Sequence, residues 1–162
     1  MGVCNKVVAV VVVSLMSILT GSACTRTETP SCTDEKVKTA VLDKAREISR
    51  DILVVQGSME SFRPPQVKGA YQALKEGTEK AGEPHREQIR TLLSDADKSM
   101  QRLDLVLSDV RPLKTKSENG VSACGGSILF INKESKKQNP TLVEFIAQYN
   151  EDRSVRIEMT KF

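Results

Sequence analysis

Four cysteines, one histidine and a few clusters of hydroxyls and carboxylates are the residues of this 162-residue chain that could do chemistry. His85 is the only histidine, so any site that needs two imidazoles is excluded, the usual zinc arrangements among them. A Cys124 thiolate with His85 as its base would make a nucleophilic dyad. Against that, Cys124 has a competing use as a half-cystine with Cys32, and His85 follows Pro84 in the manner of an exposed first-turn residue. Ser122 sits in Gly120-Val121-Ser122-Ala123-Cys124, which lacks the closing glycine of a nucleophile elbow and falls in a predicted strand. Gly125-Gly126 could cradle an anion, but no helix follows, and a bulge or close packing is the simpler use of the pair. Asp95 and Asp97 lack the other ligands and the glycine of a calcium loop and read as a solvated helix face. Lys133, Lys136 and Lys137 read as a basic, solvated loop tip, or as a contact for an acidic partner or an anionic headgroup. The sequence predicts no catalytic residues, no metal site and no cofactor.

Covalent chemistry is more legible. Lys6 and the α-amino group give a positive start, and residues 7–19 are an unbroken apolar or hydroxyl-bearing run of export-signal length. The run ends at Gly21-Ser22-Ala23-Cys24. Small residues at 21 and 23 suit a peptidase cutting before Cys24, and the stretch resembles the lipobox of bacterial lipoproteins, in which that cysteine is lipidated. The lipobox pattern usually has Leu three residues before the cysteine; here Gly21 holds the position and Leu19 lies two further back. Two alternatives stay open. An ordinary signal peptidase would release a soluble chain from the same cut, or residues 7–24 would stay as a marginal anchor, short of the roughly 20 residues of a full span. Met1-Gly2 is not a myristoylation start, because Lys6 stands where Ser or Thr is required.

Cysteine arithmetic bears on the same choice. Cys4 leaves with the signal, so Cys24, Cys32 and Cys124 remain, an odd number for an exported chain. If Cys24 carries lipid, Cys32 and Cys124 are left as one pair in a compartment where disulfides persist. The competing state is two free, buried thiols. Thr25, rather than Asp, after the cysteine is compatible with outer-membrane sorting by the rule of the lipoprotein family. Charge says little about partners: 24 basic against 21 acidic residues, without a dense basic cluster, gives no sign of a nucleic-acid partner. Aromatic residues make up 4% and Trp is absent, which argues against stacking on sugars or bases.

The chain divides into residues 1–23 as signal, 24–31 as lipidated cysteine and polar tether, and 32–162 as one domain with a helical insertion at about 64–103. Thr33 is the expected cap of a long first helix, with Asp34 and Glu35 in its first turn and Val37, Val41, Ile48, Ile52 and Val55 at helical spacing. Gly57 is its expected end. Beyond Pro64-Pro65, Val67, Tyr71 and Leu74 mark a second helical segment. Pro84 opens a third, with Ile89, Leu92, Leu93, Ala96, Met100 and Leu103 as its apolar face. From 105 the period becomes two. Strands are predicted at 105–113, 121–132, 141–149 and from 155 to the end, with a loop over 133–140 and turns at 118–120 and 150–152. The expectation is an α+β fold: a long N-terminal helix plus a helical hairpin against a four-stranded antiparallel meander.

Ser31-Cys32-Thr33-Asp34 with Val37, then residues 120–124, then the closing ribbon from Val143 to Met159 together resemble a broad group of small, uncharacterised bacterial envelope lipoproteins. In overall shape the layout is similar to cystatin-like and NTF2-like domains, though cystatin's protease-binding loops have no motif match. The resemblance implies an envelope protein, periplasm-facing and held to a membrane through lipid on Cys24. Such a protein would act by binding a protein partner, as in immunity, exclusion or an envelope complex. The alternative is a small-ligand-binding or structural lipoprotein with a hollow between helix and sheet.

Overall fold

The computed structural model describes residues 28–58, 68–83, 85–113 and 120–162. The signal stretch, Cys24 and the start of the tether lie outside the described residues, as do Pro64-Pro65, Pro84 and most of the loop before Gly120.

Three helices precede four strands: α1 (Glu35–Ser58), α2 (Ala70–Thr78), α3 (His85–Gln101), β1 (Leu103–Pro112), β2 (Val121–Asn132), β3 (Gln138–Tyr149) and β4 (Val155–Lys161). The strands form one antiparallel sheet in the order β1-β2-β3-β4, the expected meander. Its register aligns Leu105 with Phe130, Cys124 with Phe145, and Phe145 with Met159, so alternate residues collect on one face. That face buries Leu105, Cys124, Ile128, Val143, Phe145 and Ala147 against Val37, Val41 and Ala45 of the first half of α1. Fully burying a Val, Ile or Phe side chain contributes roughly 1.5–3 kcal/mol, so this cluster is the main source of stability. An irregularity where Glu144 pairs with Lys161 but Phe145 with Met159 shifts the phase at the end of β4. Phe162 joins the core there, edge-on to Phe130 with ring centroids 6.2 Å apart.

Local details differ from the sequence expectation at four points. Asp34, not Thr33, caps α1: its Oδ1 accepts the Lys36 N–H at 2.9 Å, while the Thr33 hydroxyl is held by Ser31 at 3.0 Å. A carboxylate beside the first turn accepts a stronger bond than a hydroxyl and meets the positive end of the helix dipole. Gly57 does not end α1. The helix runs on to Ser58, and a Cβ at position 57 would lie 2.9 Å from the Cδ2 end of the Leu92 side chain, so the glycine lies where α3 packs closest. Leu103 leaves the α3 face and opens β1, because α3 stops at Gln101. Finally, β3 begins at Gln138, and residues 138–140 pair with 131–129, shortening the expected loop. Pro140 is tolerated because it lies past the stretch of β3 that pairs with β4, where the strand has a neighbour on one side only.

The helical insertion touches the sheet core only through Met100 at the end of α3 and packs mainly on α1. The last turns of α1, from Leu53, which reaches both cores, pack Val54 and Val55 against Ala70 of α2 and Ala96 of α3, with Tyr71, Leu74 and Leu93 around them. This forms a second, smaller core, a helical cap at one end of the molecule.

Candidate functional site at the tether clasp and the open sheet face

Three contacts, at alternate residues, fasten the end of the tether to the sheet. Ser122 Oγ donates to the Pro30 carbonyl at 2.6 Å, and Pro30 is fully buried. Cys32 and Cys124 form a disulfide with their Cα atoms 5.8 Å apart. Tyr149 donates its hydroxyl to Asp34 Oδ2 at 3.2 Å. Partial burial, then the Asp34 carboxylate, push the Tyr149 phenol above its ordinary pKa. Period-two alternation places Ser122 and Cys124 on the face of β2 that meets the incoming chain. The cross-link spans a sequence separation of 92, for which chain entropy gives about 4–5 kcal/mol and real bridges often about 2–4. This clasp is a mechanical joint with no catalytic geometry. Cys124 is 0% exposed and joined to Cys32, whereas His85 is exposed at the start of α3, so the two do not make a dyad.

The second feature is the sheet's other face. No described helix lies against it: α1 covers the opposite side. It presents Val106, Leu129, Ile131, Leu142 and Ile146, with Leu113 laid over Gly125 at the end of β1. Val106 is 44%, Leu113 46% and Leu142 70% exposed. Charged residues surround the apolar ones, among them Glu144, which pairs with Lys161 at 3.9 Å. Gly125 and Gly126 are used for close packing: added Cβ atoms would meet Leu113 Cδ2 at 2.9 Å and the Ser108 carbonyl at 3.1 Å.

Other candidates resolve into structural roles. Asp51, buried at 3% exposure on α1, accepts the backbone N–H groups of Gly69 and Tyr71 at 2.8 and 2.9 Å and so holds the start of α2. The acidic pair on α3 splits. Asp95 is exposed beside Lys98, whereas Asp97 accepts the Tyr71 hydroxyl at 2.6 Å and lies 3.1 Å from Arg50 Nε. Reading Asp97 as a solvated face is therefore corrected: it joins α1, α2 and α3. Nothing in the sequence pattern marked Asp51 or Asp97, because a carboxylate on a helix shows its partner only when another helix arrives. Arg50 also lies over the Tyr71 ring, 5.8 Å from its centroid. Lys133 is tied to Asp104 and to the Gln101 carbonyl, so the basic loop tip is partly paired.

Between α1 and β4 lies a cleft of about 530 Å³ that includes Ile48, Ile157 and Met159 but is rimmed by Lys44, Glu47, Lys68, Arg156 and Glu158. Beside it, Val37, Val41 and Ala45 of α1 meet Ile128, Val143, Phe145 and Ala147 of the sheet in one buried cluster. Among the described residues no group of three His, Cys, Asp or Glu could hold a metal ion, and no helix is long and apolar enough to cross a membrane. Comparison with family models, curated proteins and solved structures gives no match.

Proposed function

We propose that the chain is a lipid-anchored binding protein of the bacterial envelope, with lipid on Cys24 and a protein partner on the open sheet face. One observation carries the second half: an antiparallel sheet covered on one side leaves Val106, Leu113 and Leu142 exposed on the other. Sheets with one solvated face normally turn polar residues outward, so apolar side chains in that position favour contact with another surface. The clasp supports the first half, since a domain fastened so closely to its own tether is suited to being held in place. The cleft between α1 and β4 is rimmed by charged residues, which favours it less as an apolar ligand hollow.

A photo-crosslinking residue at Leu142, with a second protein carrying it at Glu47 on the exposed side of α1, tests the partner in intact envelopes. A discrete adduct from position 142 and none from 47 is the expected result. No adduct from 142, or the same adducts from both, overturns the binding face. For the anchor, the intact mass of the detergent-extracted chain should begin at Cys24 with added acyl groups and gain two hydrogens on reduction. A bare chain from Cys24 makes it a soluble exported protein.

A further inference from the structure

The clasp fixes where the tether leaves the domain, and the tether is short. Five residues lie between Cys24 and Pro30, so six Cα–Cα steps join them. Those six steps can span at most about 21 Å at roughly 3.5 Å per residue.

The domain is longer than its tether. α1 begins next to the clasp, where Glu35, Lys36 and Thr39 stand beside Asp152, Arg153 and Ser154 of the β3–β4 turn. Its 24 residues then carry the chain about 36 Å along the helix axis to the cap, where Gly57 meets Leu92. Turning the molecule over, with the cap on the bilayer and the clasp above it, would need a tether at least as long as α1. Six Cα–Cα steps cannot reach.

We infer that the domain stands on the membrane with a fixed polarity. The start of α1, the β3–β4 turn and the end of β1 lie toward the lipid headgroups, and the helical cap points away. This rests on the anchor reading above. The strands then run from the lipid-facing pole toward the cap, so the open sheet face stands upright and meets its partner from the side. A domain lying flat on that face would cover Val106 and Leu142 with lipid and leave no room for a protein there.

Fluorophores on single introduced cysteines test the polarity. Glu151→Cys places one in the β3–β4 turn, Lys75→Cys places one on α2, and both positions are exposed. In the acylated protein every native cysteine is paired or lipidated, so only the new thiol reacts. The full lipidated chain is reconstituted into phosphatidylethanolamine–phosphatidylglycerol vesicles containing a headgroup-labelled acceptor lipid, and its intact mass is measured on the same preparation. With acyl groups on Cys24, severalfold stronger transfer from position 151 than from 75 is expected. Equal or reversed transfer with the acyl mass present overturns the polarity and leaves the anchor standing. Absence of the acyl mass overturns both.

Discussion

The sheet half and the helical cap are built on different principles. The sheet half buries large apolar side chains, Phe145 and Ile128 at its centre, and closes with a disulfide. The cap has a core of Val54, Val55, Ala70 and Ala96, and relies on polar contacts among Arg50, Asp51, Tyr71 and Asp97. Large buried surfaces and a covalent bond make a body that opens only when the whole domain unfolds. A small core held by hydrogen bonds opens locally, at a lower free energy. The firm half is the one fastened to the tether, and the looser half lies at the far end of α1. On the reading proposed above, a partner on the sheet would dock on the part least able to deform.

The disulfide is the strongest single fastening of the sheet half. Replacing Cys32 and Cys124 together by Ser should cost about 2–4 kcal/mol of global stability in denaturant unfolding. Amide exchange should rise through β2 and the start of α1 more than in α2. A larger rise in α2 would mean that the cap, not the sheet, depends on the clasp.

Asp51→Ala removes the acceptor that holds two backbone N–H groups at the start of α2, at a cost of about 1–3 kcal/mol. Exchange should then quicken in α2 while the amides of β2 and β3 keep their protection. Equal loss across the sheet would show that the two cores unfold as one.

The smallest effect is a matter of pH. Burial, followed by the hydrogen bond to Asp97, raises the Tyr71 phenol above its ordinary value of 10.0. A raised phenol means that the folded state holds its proton longer than the unfolded chain. Its contribution is therefore whole below pH 10.0 and is lost as pH rises through the folded-state value. Tyr71→Phe should lower melting temperature slightly at neutral pH and flatten its decline in alkali. An unchanged alkaline slope would show that Tyr71 is not the group responsible.

Most of the fold was legible because its signals are periodic. Alternation on Val143, Phe145 and Ala147 gave the buried face of β3, and spacing on Val37 and Val41 gave the covered side of α1. Cap and boundary choices were less legible. Thr33 and Asp34 are both good caps, and it is the Asp34 carboxylate that takes the Lys36 N–H. Gly57 looks like a stop signal in one dimension and is a contact point in three.

The sequence alone determined what depends on order along the chain. That includes the export-signal resemblance ending at Cys24, the four cysteines and their spacing, helix and strand periods, and the absence of a second histidine. Tertiary structure decided what depends on meeting across distance. It brought Cys32 to Cys124, seated Pro30 on Ser122, gave Asp51 the start of α2 and Asp97 its tyrosine, and left one side of the sheet with no described helix against it. Periodicity says that a residue has an inside and an outside, but the partner waiting there is set by packing, because contacts between distant segments have no signature in either segment by itself.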